Sequence, residues 1–330
     1  MKIGKIPESV LIRSVLKQVK HRREEVLAGP GVGEDCAALE VGEGEVLVLS
    51  TDPITGTVMD IGHHGIYVTA NDLAVSGAEP IGILLTVILP PDVPEETLKK
   101  IIQDAEETCK ELHMEILGGH TEVSKIVSQP LICVTGVGKV KKTSLLRTSE
   151  MKPDQDLVVT KWIGLEGTAI LAKEREEELR KRFPAVLVNT ARDFSDSLSV
   201  IQEAKIAAEH GVSAMHDITE GGIFGALWEM ASGAGVGLEV DLKKIPIRQE
   251  TVEICEYFGL NPYQLMSSGS LLAATDDGYE LVRKLEQAGI HAVVVGRTNG
   301  GNDRILYNGE DVRYLDKPQP DELYRIQNDK

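Results

Sequence analysis

The 330-residue chain has only four cysteines, which lie far apart at Cys36, Cys109, Cys133 and Cys255. No two of them form a C-x-x-C pair, so we expect reduced thiols and no zinc site. The first residues lack the continuous apolar core of a signal peptide. The most apolar run, residues 81–89, is too short to span a membrane and better suits a buried strand. These absences favour a cytoplasmic protein.

Basic residues are also scarce. There are 35 Lys and Arg against 52 Asp and Glu, which gives a formal net charge of −17. Such a balance argues against nucleic acid and against anionic membranes as partners. An anionic nucleotide would have to be neutralised locally, by a divalent metal or by backbone N–H groups. The 42% hydrophobic and 26% charged residues are ordinary for a soluble globular protein.

Two common nucleotide-binding motifs are missing. No G-x-x-x-x-G-K-[ST] sequence is present, which excludes a P-loop. The glycine-rich stretch GPGVGED at 29–35 lacks the third glycine of a Rossmann fingerprint and precedes a predicted strand, not a helix. Taken alone, this stretch is typical of a turn.

The remaining pattern predicts an α/β (α+β) protein with two domains, residues 1–150 and 151–330. The boundary is indicated by a polar stretch with a proline turn at 141–155. We predict helices over 7–28, from 68 to about 77, from 94 to about 114, and over 165–182, 193–210 and 223–232. We predict strands over 36–41, 46–51, 81–89, 131–140, 157–160 and 236–240.

Polar clusters interrupt the first half at strand ends or helix starts. One of them, Asn71-Asp72, lies in the middle of an otherwise apolar helix, where a carboxylate is rarely buried unless it is paired or holds a metal. Acidic residues suit magnesium, and glycines let a backbone approach a phosphate closely. Each cluster alone could be a turn or a cap, but together they indicate a magnesium–nucleotide site. The four are Gly33-Glu34-Asp35, Thr51-Asp52, Asn71-Asp72 and Gly118-Gly119-His120-Thr121-Glu122.

The order TDP…DIG…ANDLAVSGAEP…GGHTE resembles a superfamily of ATP-binding proteins. It includes aminoimidazole ribonucleotide synthetase, which gives the PurM-like fold its name, selenophosphate synthetase, thiamine-monophosphate kinase and a hydrogenase maturation factor that dehydrates a carbamoyl group. The resemblance covers nearly the whole chain. KPDQDLVVTKWIGLEGTAIL (152–171) resembles the start of the second domain, and AMHDITEGGIFGALWEMA (214–231) resembles a helix start of the hydrogenase maturation branch.

The resemblance implies two PurM-like domains, with the sheet of the first pairing across a homodimer. It implies ATP and Mg²⁺ as cofactors and a maturation-pathway protein as a partner. At the start of the second-domain helix, Asp217 or Thr219 can cap, and Gly221-Gly222 can offer N–H groups to an anion. The implied site residues are Asp35, Asp52, Asp72 and Glu122 for the metal, Asn71, Asp72, Gly118, Gly119, His120 and Thr121 for the nucleotide, and Asp217 and Thr219 for catalysis.

The sequence departs from the hydrogenase maturation branch at three positions. His120 replaces an aspartate, and a neutral imidazole is a poor magnesium ligand. Glu220 replaces an arginine beside the proposed anion site. Gln327 follows Arg325-Ile326 where the branch has its terminal cysteine, and a glutamine amide cannot be S-carbamoylated. Cys255 lies in a predicted helix, where an inert core thiol is expected.

These observations favour ATP hydrolysis or phosphoryl transfer to an acyl-type oxygen, in which the protein supplies positioning and charge neutralisation. Hydrogenase maturation is one setting for this chemistry. Two alternatives stay open: a small-molecule kinase such as thiamine-monophosphate kinase, and a non-catalytic nucleotide-dependent binding partner. Gln327 favours these two over a carbamoyl dehydratase. The adjacent His63 and His64 are expected to be solvated or hydrogen-bonded to backbone, not to bind a metal.

Overall fold

The structure is a computed structural model that describes residues 4–5, 8–29, 38–54 and 60–327. The chain folds into two compact units. The N-terminal unit comprises residues 1–74 and 78–145, and the C-terminal unit comprises residues 75–77 and 146–330. No helix in the described ranges is both long enough and apolar enough to cross a bilayer.

The N-terminal unit is built on a five-stranded mixed sheet. Its strands run in the order β1-β6-β5-β7-β4; β5 and β6 are parallel, the other neighbours are antiparallel, and β2 pairs separately with β3. The strands are β1 (Gly4–Lys5), β2 (Val26–Ala28), β3 (Ala38–Leu39), β4 (Glu45–Ile54), β5 (Glu79–Leu89), β6 (Glu115–Val123) and β7 (Leu131–Lys141).

Two long helices, α2 (Ile61–Val75) and α3 (Glu95–Glu111), accompany this sheet, and a short α1 (Glu8–Val10) continues into a π-helical turn at Leu11–Leu16. Helix α3 begins after Pro94 with two glutamates in its first turn, where negative charge favours the helix dipole. Its apolar residues, such as Leu98 and Ile101, form the buried face. The predicted helix over 94–114 and strand over 81–89 are therefore confirmed.

One face of the N-terminal sheet is covered and the other is open. On the covered face, Thr69 and Leu73 of α2 pack against Gly136 in β7. On the open face, alternate residues of the edge strand β4 are exposed: Leu47 by 46% and Leu49 by 65%. Leu84 of β5 adds a third exposed side chain, at 38%. The result is an apolar sheet surface that no other described element of this unit covers.

Three sequence predictions in this unit were wrong in whole or in part. The helix predicted over 7–28 ends at Leu16, and Val26–Ala28 is the strand β2. The segment 118–122, for which a turn or a cap was considered, instead continues the strand β6 alongside β5. The helix predicted to start at residue 68 begins earlier, because α2 starts at Ile61.

The C-terminal unit is built on a seven-stranded sheet in the order β14-β13-β10-β12-β8-β11-β9. Only β10 and β13 are parallel among the described neighbours. The strands are β8 (Asp156–Thr160), β9 (Ala214–Ile218), β10 (Gly237–Asp241), β11 (Ser270–Thr275), β12 (Ala292–Asn299), β13 (Arg304–Asn308) and β14 (Asp311–Tyr314).

Two large apolar cores hold several helices of this unit. One core packs α8 against the sheet, and the other joins α4, α5, α6, α9 and α11. The predicted helix over 165–182 breaks at Arg175, and the one over 193–210 starts only at Ile201. The helices are α4 (Leu165–Glu174), α5 (Glu176–Arg182), α6 (Ala185–Asp193), α7 (Ile201–His210), α8 (Gly222–Ala234), α9 (Gln249–Phe258), α10 (Gly278–Gln287) and α11 (Leu323–Gln327).

Candidate functional site

Two carboxylates meet at one serine hydroxyl in the N-terminal unit. Ser50 Oγ in β4 lies 2.5 Å from Asp72 Oδ2 and 3.4 Å from Asp52 Oδ2. Asp52 is two residues beyond Ser50, so the strand period of two puts both on the same side of the sheet. Asp72 comes from α2, which covers that side, and Asn71 next to it is completely buried. The structure thus brings Asp52 and Asp72 together.

This pair has the chemistry of a divalent cation site. Ser50 has a single proton, which it donates to Asp72, so Asp52 gains little from the longer contact. Mg²⁺ is commonly held by one or two carboxylates, with water and phosphate oxygens completing its shell. The two carboxylates fit such an ion, whose binding here stays a prediction. Asp35, the third predicted ligand, lies outside the described residues with most of the glycine-rich loop.

The predicted nucleotide segment of β6 presents alternate residues to opposite faces of the sheet. His120 pairs with Thr86, and Glu122 with Ile88, on the open face. His120 Nε2 lies 3.2 Å from Glu122 Oε2. Thr121 points to the covered face and is buried. Within one chain the sheet therefore separates Glu122 from the Asp52–Asp72 pair, and a metal site that includes Glu122 stays a prediction.

The two glycines of this segment differ in what their positions require. Gly119 has φ +150, and a Cβ there would lie 2.0 Å from the carbonyl oxygen of Leu85. Only glycine lets β6 run this close to β5. At Gly118 the nearest atom to a Cβ would be 3.4 Å away, an ordinary contact. Strand packing therefore accounts for Gly119, and the predicted role of both glycines in phosphate approach is untested.

A second polar group lies on the open face and was not predicted. Thr51 Oγ1 is 2.8 Å from Thr135 Oγ1 and 3.7 Å from Cys133 Sγ. These residues meet because Thr51 pairs directly with Thr135 across β4 and β7, and Cys133 is two residues away along β7. Only the strand register brings them together, so composition and local motifs could not have indicated the group.

One group among the described residues has the composition of a metal site: His63, Asp104 and Glu107. His63 Nε2 lies 3.4 Å from Asp104 Oδ1, but Lys100 Nζ lies 2.5 Å from the same oxygen. Thr108 Oγ1 is 2.6 Å from His63 Nδ1. Both ring nitrogens of His63 therefore lie near protein partners, Asp104 and Thr108.

The predicted catalytic residues of the C-terminal unit lie at the end of β9. Asp217 is buried in the strand, and Thr219 follows it. The preceding His216 places Nε2 3.2 Å from Glu229 Oε2 in α8. Burial alone would lower the pKa of His216, but the carboxylates of Glu229 and Asp217 outweigh burial and raise it. Sequence reasoning missed the His216–Glu229 pair, which joins two separate elements.

Neither Asp217 nor Thr219 caps helix α8, contrary to the prediction. The N-cap is Gly221, with φ 81, which has no side chain to cap with. The Gly221 N–H donates instead to Asp321 Oδ2 at 2.7 Å, and the Leu323 N–H donates to Asp321 Oδ1 at 2.9 Å. A carboxylate of the chain itself therefore takes the Gly221 N–H that was predicted to bind an external anion.

Asp321 is 1% exposed and anchors the C-terminal segment. Burial raises its pKa to about 6, against the opposing effect of the backbone N–H donors of Leu323, Gly221 and Met266. Leu323 is buried in the core that also contains Cys255, and Ile326 packs against that core. Burial raises the pKa of Cys255 to about 12, as expected of a core thiol.

Comparisons with known proteins agree with this architecture. The family model of the AIR synthase related protein N-terminal domain matches residues 33–140, and the model of the C-terminal domain matches residues 152–308. A carbamoyl dehydratase of Cupriavidus necator is 30% identical over 251 residues, covering 73% of this chain and 68% of the relative. A carbamoyl dehydratase of Rhodobacter capsulatus is 26% identical over 318 residues, covering 91% of each.

The same fold is found among solved structures. A hydrogenase maturation protein in complex with ATP superposes with a TM-score of 0.82 at 19% identity, covering 97% of each chain. At that identity the match concerns the fold, which is the two-domain PurM-like fold that the sequence resemblance implied.

Proposed function

Because the chain belongs to the AIR synthase related protein family, we propose that its N-terminal unit binds magnesium–ATP and that it hydrolyses ATP or transfers a phosphoryl group to an acyl-type oxygen. Such a transfer turns a poor leaving oxygen into a phosphate. The protein's part is positioning and charge neutralisation. The carbamoyl dehydratases among the relatives support an acyl-type acceptor.

The observation that carries the proposal is the convergence of Asp52 and Asp72 on Ser50. In a chain of net charge −17, bound triphosphate needs a cation, and two converging carboxylates can supply one by holding Mg²⁺. Asn71 is proposed to orient Asp72. Thr121, Gly118, Gly119 and His120 are proposed to contact the nucleotide, and Asp217 and Thr219 to act in catalysis.

The decisive experiment is calorimetric titration of magnesium–ATP into the wild type and Asp72→Asn. The substitution removes a charged ligand without changing side-chain size, so the affinity should fall at least about tenfold. Glu43→Gln is the matched control, because it removes a carboxylate from an exposed turn ahead of β4. Equal affinities for the wild type and Asp72→Asn would remove this pair from the ATP site.

We also propose a homodimer formed through the open face of the N-terminal sheet. Leu47, Leu49 and Leu84 would be covered there by the same residues of a second copy. His120 and Glu122 share this face, so a dimer would place them next to the second chain. The proposed setting is the cytoplasm, with a protein of hydrogenase maturation as a further partner.

Gln327 supports two alternative functions, a small-molecule kinase and a non-catalytic nucleotide-dependent partner. An ATPase assay against a panel of small metabolites separates them. Stimulation by one metabolite, with appearance of its phosphate ester, indicates a kinase. ATP binding that no metabolite converts into turnover indicates a binding partner.

A further inference from the structure

A half-open cavity of about 350 Å³ lies in the C-terminal unit, apart from the residues already described. Small-molecule pockets have volumes of about 300–1,000 Å³, so this one suits a compact ligand. Three segments form it: the helical turn at Leu242–Lys244, the turn at Pro262–Gln264 and the β13–β14 hairpin. Its lining residues are Leu242, Lys243, Tyr263, Asn308, Asp311 and Arg313.

Two cations line the cavity without an acidic partner. Among the described residues, neither Lys243 nor Arg313 forms an ion pair. The lining carries two cations against one carboxylate, so the concavity attracts an anion and raises its local concentration.

Each cation lies against another part of the unit. The guanidinium carbon of Arg313 lies 5.5 Å from the centroid of the Phe224 ring, a cation–π contact. Phe224 in turn stacks on Tyr263, with ring centroids 5.2 Å apart and planes 8° from parallel. The Lys243 ammonium lies against the hairpin turn, because a Cβ at Gly309 would be 2.9 Å from Lys243 Nζ.

The other polar lining groups are mostly donors as well. In the described part of the chain, the Tyr263 hydroxyl and the Asn308 amide have no hydrogen-bond partner. Burial raises the pKa of Tyr263, so its hydroxyl keeps its proton at neutral pH. Asp311 is the single carboxylate in the lining and can accept from a hydroxyl or amino group.

We propose that this cavity binds a small phosphate- or carboxylate-bearing molecule that also carries a hydroxyl group. Lys243 and Arg313 would hold the anion, Tyr263 and Asn308 would donate to it, and Asp311 would accept from the hydroxyl. This ligand site is additional to the proposed magnesium–ATP site in the N-terminal unit.

The test is calorimetric titration of the full chain with inorganic phosphate, glycerol 3-phosphate and glycerate, each up to about 10 mM, a range that detects millimolar affinity. Saturable one-to-one binding of glycerol 3-phosphate or glycerate is expected, and the stronger of the two identifies the anion as phosphate or carboxylate. Lys243→Met and Arg313→Met should each weaken that binding at least about tenfold. The magnesium–ATP affinity of Lys243→Met should be unchanged.

Lys244→Met is the matched control, because Lys244 is the adjacent exposed lysine and does not line the cavity. It should bind the probe as the wild type does. The proposal is overturned if the wild type binds no probe saturably, or if Lys244→Met loses as much affinity as Lys243→Met. It is also overturned if well-folded Lys243→Met and Arg313→Met, checked by circular dichroism, bind like the wild type.

Discussion

The carboxylate of Asp321 lies 2.7 Å from the backbone nitrogen of Gly221, 100 residues earlier in the chain. This contact ties the C-terminal segment to the start of α8. Asp321 is buried, so its charge is stabilised almost entirely by backbone N–H groups. These donors do not fully replace water, because the pKa of Asp321 is still raised to about 6.

Asp321→Asn should reduce the dependence of the unfolding free energy of the C-terminal unit on pH. The folded-state pKa of about 6 exceeds the ordinary value of 3.8, so between these values the folded chain holds a proton that the unfolded chain releases. The wild-type unfolding free energy should therefore fall as pH rises from about 4 to about 6, by up to about 3 kcal/mol. An asparagine does not titrate, so the variant loses this slope.

Urea unfolding followed by tryptophan fluorescence measures this, because both tryptophans, Trp162 and Trp228, lie in the C-terminal unit. Asp316→Asn is the control: it changes an exposed aspartate in the same segment and should keep the wild-type slope. A wild-type slope retained by Asp321→Asn would assign the pH dependence to another group.

The sequence was sufficient to predict those helices and strands whose own residues carry a strong signal. Helix α3 combines an acidic first turn with a regular apolar face, and the strand β5 is a continuous apolar run. The prediction of a helix over 7–28 was wrong because hydrogen bonds to residues distant in sequence hold this segment in another conformation. The His21 N–H donates to Glu106 and the Arg23 N–H donates to Glu115, at separations of 85 and 92 residues.

The candidate site shows the same limit. Asp52 and Asp72 both lie near Ser50, and the family resemblance had implied both as metal ligands. The division of Asp52 and Glu122 between two sheet faces depends on the register through β7, β5 and β6, which no motif contains. The contact of Asp321 with Gly221 joins the tail to a turn that local reasoning had assigned to an external ligand.

Leu49→Glu should convert the proposed homodimer into a monomer. Leu49 is 65% exposed on the open sheet face, and in a two-fold symmetric interface each substitution occurs twice. Burying two unpaired carboxylates there costs several kcal/mol. Light scattering at micromolar concentration should give about twice 35.9 kDa for the wild type and 35.9 kDa for the variant.

Val312→Glu is the control for this experiment. Val312 is 60% exposed in the C-terminal unit, so the same kind of change is made away from the N-terminal sheet. It should leave the dimer intact. A wild type that is monomeric yet binds magnesium–ATP would exclude the proposed interface.

Arg23→Met should destabilise the N-terminal unit most at neutral pH. Arg23 contacts Glu25 at 2.6 Å, and this bond, with help from Lys139, lowers the pKa of Glu25 to about 2. The stabilisation is complete above the ordinary pKa of 4.5 and is lost as pH falls towards about 2. Removing Arg23 leaves Lys139 as the remaining cation on the buried Glu25 carboxylate, so the cost at neutral pH should stay below the about 3–5 kcal/mol of a fully unpaired buried charge.

Hydrogen exchange of β7 peptides, compared between the wild type and Arg23→Met at matched pH, measures this difference. The gap in protection should be largest near neutral pH and should narrow as pH falls towards about 2, where Glu25 is protonated in the wild type as well. Lys20→Met is the control, since Lys20 is an exposed cation three residues earlier in the chain. A gap that widens towards acid would contradict the assigned pKa direction.

The C-terminal tail should not accept a carbamoyl group. Gln327 ends α11 where the related branch has its terminal cysteine, and a glutamine amide is almost non-nucleophilic because its lone pair is delocalised. Cys255 is buried with its pKa raised to about 12, and Cys109 is completely buried with its pKa raised by burial and then by Glu106. Neither offers a ready thiolate. Tail mobility is also reduced, since Leu323 is buried and Arg175 donates to the Ile326 carbonyl oxygen.

Intact mass after incubation with ATP and the carbamoyl-transferring partner of the carbamoyl dehydratase relatives tests this. The wild type should keep its mass, because Gln327 offers no sulfur to form the S–C bond. Gln327→Cys is the matched variant, because it places a thiol at this position. A carbamoyl adduct on that variant alone would show that the partner is active and that the wild type lacks only the sulfur. A wild-type mass increase of one carbamoyl group, followed by loss of water with ATP, would overturn the prediction, and peptide mapping would then identify which of the four cysteines had reacted.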